Sequence, residues 1–361
     1  MDLTFPRSNV LELELTSKCT LKCYCCPRTK QADDRERWDN GHLDVDKLLS
    51  VIDDKVTKVD FAGAFGDGIY NPDAYKVIEF CKDKDIDFNF ETNGSYVKDE
   101  TWHKIAQAIP DPVQQRPANI VFSIDGPPDN FTKYRVNGDW DSIERGIRIL
   151  TSAGKSTRWK YIIFKYNSSF EDIKKAYDKA WELGMRQFML VNTKRAEPGQ
   201  LISQEDFADA LDSIEEYYET IKHLNPPFLR IQIHPRVRKV TEEKTIKKNF
   251  KKSNIAKSKY NNLVREQRQK YETESTFPQC INVDNWTQFI GSNGIYYPCC
   301  YVRAEDDKMI KDAGLTEEDL ESMSIYNHSI EEIITGIGYR KIMNNFENIR
   351  VCKNKCPKKK V

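Results

Sequence analysis

No purely apolar run in this 361-residue chain is long enough to cross a bilayer; typical is the four-residue stretch Tyr161 to Phe164. The first ten residues, MDLTFPRSNV, lack the apolar stretch of a secretory signal. Export is therefore not expected, nor is a disulfide framework, and the expected location is the cytoplasm. Net charge is absent too: 56 basic side chains balance 56 acidic ones, which excludes a globally basic nucleic-acid binder. Disorder is excluded by composition, since apolar residues make up 39% and 17 Tyr, 17 Phe and 6 Trp are available to fill a core. No internal repeat is visible. What the chain does have is ten cysteines, and a cytoplasmic protein needs a reason for them other than cross-linking.

Between residues 10 and 224, β-rich runs alternate with amphipathic helical stretches. Val10–Leu15 alternates apolar and polar residues and reads as a first strand. Further strands are expected at Lys58–Phe61, Ile86–Glu91, Asn119–Ile124, Trp159–Phe164 and Arg186–Val191. Helices are expected near 44–54, 73–84, 99–109, 139–153, 170–183 and 203–223. Six strand-then-helix units predict a parallel sheet covered by helices, a partial (β/α)6 TIM-like barrel over residues 1–233. Residues 234–279 form a basic connector. Its stretch 236–270 holds 13 Lys/Arg against 3 Asp/Glu, a net of +10, and reads as a solvated surface or as a groove for an acidic partner. Residues 280–361 form a small cysteine-bearing domain with a hairpin over 288–297, turning at Ser292-Asn293-Gly294, and a helix near 329–346. Cys81 falls on an apolar helix face with Val77 and Ile78 and reads as core.

The loop after the first strand reads Thr16-Ser-Lys-Cys19-Thr-Leu-Lys-Cys23-Tyr-Cys-Cys26-Pro27. Cys19, Cys23 and Cys26 make C-x3-C-x2-C. Three thiolates on one short loop can hold three corners of a 4Fe-4S cluster and leave the fourth iron open. A zinc site using Cys25 as a fourth ligand, or inert thiols, are the other readings of the spacing.

C-x3-C-x2-C directly after the first strand of an α/β chain resembles the signature of the radical S-adenosylmethionine (radical SAM) enzymes. The resemblance implies a 4Fe-4S cluster whose open iron binds SAM, and reductive cleavage of SAM to a 5′-deoxyadenosyl radical that removes a substrate hydrogen atom. It also implies a reducing partner of flavodoxin or ferredoxin type. Further polar and glycine-rich segments follow successive strands, at the end where such barrels place their active sites. Phe61-Ala-Gly63-Ala-Phe-Gly66-Asp67 resembles the family's Gly-Gly-Glu segment, with Asp where Glu is usual. Asn93 lies in Thr92-Asn93-Gly94. Ser123 and Asp125, followed by Arg135, resemble the stretch that contacts SAM, with Arg135 pairing with the SAM carboxylate. Asn167 and Asn192 end strands five and six. Taken singly, the glycines could simply shape a turn, Asp125 could cap the next segment and Arg135 could form a surface ion pair.

Cys280-x13-Gly294-x4-Cys299 resembles the opening of the family's SPASM domain, and Cys352-x3-Cys356 the tail of its second motif. Five cysteines fall short of two clusters. They resemble the shorter twitch variant, with a second, auxiliary 4Fe-4S cluster on Cys280, Cys299, Cys352 and Cys356. Cys300 is an alternative to Cys299, and a zinc site on the same four is the competing reading.

The extension implies oxidation or cross-linking of a residue in a peptide or protein. The alternative substrate is a small molecule such as an aminosugar or nucleotide derivative. The absence of a separate peptide-binding domain before the first strand weighs toward that alternative. A reading from another class is a zinc-stabilised protein that uses the basic segment to bind nucleic acid; a membrane role is not expected. His42, Asp284 and Tyr296 are available for acid/base work, but the sequence assigns none of them.

Overall fold

The computed structural model describes residues 7–31, 41–110, 119–193, 202–232 and 287–355. Nine strands form one open, mostly parallel sheet in the order β7-β6-β5-β4-β3-β2-β1-β8-β9. These are β1 (Val10–Leu13), β2 (Lys58–Phe61), β3 (Asp87–Thr92), β4 (Asn119–Ser123), β5 (Thr157–Ile163), β6 (Gln187–Asn192), β7 (Phe228–Gln232), β8 (Thr287–Ile290) and β9 (Tyr296–Tyr297). In the first part of the chain the helices are α1 (Pro27–Gln31), α2 (Val45–Val51), α3 (Ala74–Asp83), α4 (Asp99–Ala108), α5 (Trp140–Ser152), α6 (Phe170–Glu182) and α7 (Gln204–Ile221). Crossovers through α2 to α7 join seven consecutive parallel strands, a partial TIM-like barrel. Among the described residues no helix is long and apolar enough to cross a membrane.

Alternation along the strands sets the two faces of the sheet. On β5, Thr157, Trp159, Tyr161 and Ile163 are buried, while Arg158, Lys160 and Ile162 point the other way and are only half-buried. The buried set packs beneath the helices, where Trp159, Tyr161 and Tyr177 of α6 meet the ring of Phe188. The opposite face lines the barrel lumen and is polar: Asn89 donates to Asp60 at 3.0 Å and Lys58 pairs with Asp60 at 2.5 Å. Cys81 is fully buried among the apolar residues, as its helix face predicts. Ser169 and Ser203 cap α6 and α7 by accepting the backbone N–H groups of Asp172 and Asp206.

Three features depart from the sequence-based expectation. A seventh parallel strand, β7, follows Pro226-Pro227; its five residues, FLRIQ, are too short a pattern to read as a strand unaided. The stretch read as one helix near 329–346 is two, α11 (Ile330–Thr335) and α12 (Ile337–Asn344), because Gly336 adopts extended backbone between them. The hairpin is present, but its first strand pairs parallel with β1, so the C-terminal segment extends the barrel sheet. After it come α8 (Cys300–Ala304), α9 (Asp306–Ala313) and α10 (Glu317–Glu321), and α13 (Arg350–Lys355) closes the described chain.

A buried ion pair fastens this segment to the barrel. Arg303 of α8 donates to Glu14 Oε1 through Nε at 3.1 Å and Nη2 at 2.9 Å, and both side chains are almost wholly excluded from water. Glu14 also accepts from the Phe65 N–H at 2.8 Å and the Ser292 hydroxyl at 2.8 Å. Arg303 pairs in addition with Asp306 at 2.5 Å and lies over the Phe65 ring. Burial alone would raise the Glu14 pKa, but the charge of Arg303 and these donors outweigh it and hold the carboxyl below its usual range.

Arg303→Met leaves Glu14 buried without its cation and should cost about 3–5 kcal/mol in denaturant unfolding. Because the folded Glu14 pKa is depressed, the pair's contribution is complete above about pH 4.3 and is lost as pH falls through the folded value. The variant should therefore lose less stability than the wild type on acidification across that window.

Candidate functional site

The end of β1 delivers the chain into a loop that runs beneath the glycine segment after β2. At Gly66 an added Cβ would sit 1.7 Å from the Thr16 carbonyl oxygen, so only glycine allows this approach. At Gly63 the same addition would meet the Gly66 carbonyl at 2.7 Å. On that loop Cys23 is buried and Cys19, Cys25 and Cys26 are half-buried, packed with Leu21, Tyr134, Phe164 and Tyr166. Stacked Phe164 and Tyr166 rings and the tilted Tyr134–Phe164 pair form an aromatic wall beside Cys23.

Burial first, then the charge of Asp67, with Cys23 and Cys26 behind it, pushes the Cys19 thiol up to about 12. Burial likewise lifts Cys23 to about 11, against the opposing charge of Arg135. Thiols that raise one another's pKa lie close together and need a cation to become thiolates, which fits a metal cluster as the intended occupant. Among the described residues no three Cys, His, Asp or Glu side chains gather tightly enough to hold a single ion. A cubane takes its thiolates at separate irons, so the three need not converge on one point.

Asn93 and Arg135 meet this loop directly. Asn93 Nδ2 lies 3.6 Å from Cys19 Sγ, and Arg135 lies close enough to Cys23 for its charge to oppose the rise in the thiol's pKa. Both are held from behind. Asp67, buried, accepts from the Thr92 hydroxyl at 3.0 Å, the Asn93 N–H at 2.6 Å, Asn93 Nδ2 at 2.5 Å and the Ile69 N–H at 3.2 Å. Burial still raises its pKa to about 6. Asp125, fully buried, accepts from Arg135 Nε at 2.6 Å and from the Ile162 N–H at 2.8 Å. Asn167 donates to the Asp125 and Ile162 carbonyls and accepts from the Phe164 N–H at 2.6 Å. The side chains of Asp67 and Asn167 are thus committed within the protein, and they position the loops that carry Asn93, Asp125 and Arg135.

Ser123 faces the lumen and donates to Glu91 Oε1 at 2.5 Å, where Lys160 Nζ also donates at 2.6 Å. Sequence reasoning missed Glu91 and Lys160, although both fall on the polar alternates of their strands. It missed the Tyr134, Phe164 and Tyr166 wall as well. His42 Nε2 lies 3.1 Å from Lys18 Nζ, and Tyr296 is fully buried with its hydroxyl donating to Gln288 at 2.5 Å, which removes it from the lumen. Asp284 lies outside the described residues.

In the C-terminal segment Cys299 is buried just before α8, Cys300 opens that helix, and Cys352 stands on α13, which packs against α8. Cys280 and Cys356 lie outside the described residues, as does the basic connector.

The family model described as the radical SAM superfamily matches residues 13–180. A probable GTP 3′,8-cyclase from Methanococcus maripaludis is 27% identical over 143 residues, 39% of this chain and 45% of the relative. A tungsten-containing aldehyde ferredoxin oxidoreductase cofactor-modifying protein from Pyrococcus furiosus is 27% identical over 101 residues, 27% of each chain. The chain spans less than half the length of these curated relatives. Streptococcus suis SuiB bound to S-adenosylmethionine aligns with a TM-score of 0.54 at 17% identity, over 82% of this chain and 61% of that one. SuiB has also been solved with its precursor peptide SuiA. Native anSMEcpe with bound AdoMet aligns with a TM-score of 0.53 at 13% identity, over 96% and 88%. At such identities the likeness is one of fold.

Cys19→Ala, Cys23→Ala and Cys26→Ala should each bind less iron and sulfide after anaerobic reconstitution, with loss of the brown visible absorbance. Cys25→Ala should retain both. Iron and sulfide assays on the four variants check the assignment.

Proposed function

We propose, from the match of residues 13–180 to the radical SAM superfamily model, that the chain is an oxygen-sensitive radical SAM enzyme of the cytoplasm that oxidises or cross-links a residue in a peptide or protein. The observation that carries this reading is the meeting of Cys19, Cys23 and Cys26 with Asn93 and Arg135 at the carboxyl end of β1. Cys19, Cys23 and Cys26 would hold a 4Fe-4S cluster, which with SAM and an electron from a flavodoxin or ferredoxin would supply the radical chemistry.

The chain's own residues bind and orient. Gly66 lets the glycine segment pack against the start of the cysteine loop, with Gly63 turning tightly onto Gly66, and the segment so placed is the one that would approach SAM. Arg135, braced by Asp125, has its Nη groups available for the SAM carboxylate. Asn93 is braced by Asp67, and Ser123 presents its hydroxyl beside Glu91. Asn167 fixes the Asp125 loop that aims Arg135. The aromatic wall of Tyr134, Phe164 and Tyr166 shields the cysteine loop from water. An auxiliary cluster on Cys280, Cys299, Cys352 and Cys356 would accept the electron left on the substrate; the packing of α8 on α13 supports it by bringing Cys299 toward Cys352.

Peptide-bound SuiB and anSMEcpe favour a peptide substrate. The second reading, a nucleotide-like small molecule, rests on the likeness to the probable GTP 3′,8-cyclase and on the polar lumen. Incubation under reducing, anaerobic conditions with deuterated candidates of each class separates them. Deuterium in 5′-deoxyadenosine from a peptide supports the first reading, and label from a nucleotide alone replaces it with the second. Reconstituted protein should hold about eight irons if both clusters form and about four if only the first does.

A further inference from the structure

We propose that Arg158 and Arg230 form an anion-binding site in the barrel lumen that holds a phosphate or carboxylate of the substrate. Strand register places them. Arg158 is paired with Gln187 and Lys160 with Met189, while Met189 in turn faces Arg230 of β7. The outward residues Trp159, Phe188 and Leu229 are buried in the core, so Arg158, Lys160, Gln187, Phe228 and Arg230 share the lumen face.

The other cations on this face are neutralised: Lys58 by Asp60 and Lys160 by Glu91. Arg135, on the loop after β4, is paired with Asp125. Among the described residues Arg158 and Arg230 have no carboxylate partner. They are near enough that burial, with the charge of Arg230 behind it, lowers the Arg158 pKa. Two guanidinium groups on one face, close enough to act on each other's charge, repel, and an anion bridging them removes that cost while using fork-shaped donors suited to phosphate or carboxylate. Between them the Gln187 side-chain carbonyl is buried without a partner. Turning that amide over would present its NH2 to the same anion. Phe228, 58% exposed on this face, offers an uncovered ring for an apolar part of the same molecule. Arg158 stands two residues before Lys160, roughly 7 Å further from the cysteine end. An anion anchored there leaves the rest of a substrate to extend toward Ser123 and Arg135.

That the anion belongs to the substrate rests on the radical SAM reading; the binding site itself does not. Equilibrium dialysis of the full chain against inorganic pyrophosphate and against glutarate tests it without a cluster. At least one probe should bind, and which one does distinguishes a phosphate from a carboxylate site. Arg158→Gln and Arg230→Gln should each weaken that binding about tenfold or more, while Arg145→Gln, on the far side of the sheet, leaves it unchanged. Circular dichroism checks folding, and the exposed Arg230 provides the test if the Arg158 variant does not fold. Binding of neither probe, or binding undiminished in the double variant, overturns the site. Anion binding retained by a wild type that cannot cleave SAM would remove the enzymatic reading and leave the anion site standing.

Discussion

The buried contact between Glu14 and Arg303 is the constraint on which the architecture turns. Glu14 directly follows β1, five residues before Cys19, and accepts the Phe65 N–H of the glycine segment, so it governs how the cysteine loop leaves the sheet. Its cation comes from the other end of the chain, one turn after Cys299. An ionised carboxylate is tolerated at this depth only because Arg303, Ser292 and Phe65 all donate to it. The two cysteine-bearing regions are thereby held to one sheet, with β8 hydrogen-bonded along β1.

The same logic of committed polar groups organises the lumen. Asp67 and Asn167 spend their hydrogen bonds on neighbouring loops, and Asp125 spends its own on Arg135 and β5. That leaves Asn93, Arg135 and Ser123 as preorganised side chains at one end, and at the other two guanidinium groups, Arg158 and Arg230, without a carboxylate partner among the described residues. Both lie on a single face of a parallel sheet whose opposite face is closed by aromatic packing.

Much of this was legible in the sequence because the relevant signals are local. Lys58–Phe61 is a strand with the bounds its pattern predicts, and the cysteine loop follows β1 as the alternation of Val10–Leu15 implies. Long-range partners were not legible. Arg303 looks like one more charged helix residue until the fold carries it to Glu14, 289 positions earlier. Glu91 and Lys160 drew no attention in the sequence, whereas in a barrel the polar alternates turn inward and pair across strands. The hydrogen bonds that hold Asp67 and Asn167 to neighbouring loops are a property of tertiary packing that spacing does not encode. β7 escaped notice because five residues, of which Leu229 is buried, carry too little periodicity.

Formation of 5′-deoxyadenosine from SAM by the anaerobically reconstituted, chemically reduced chain tests the central claim most directly. Turnover by the wild type and none by Cys23→Ala is the predicted result. No 5′-deoxyadenosine from an iron-replete wild type, or equal amounts from Cys23→Ala, would contradict it.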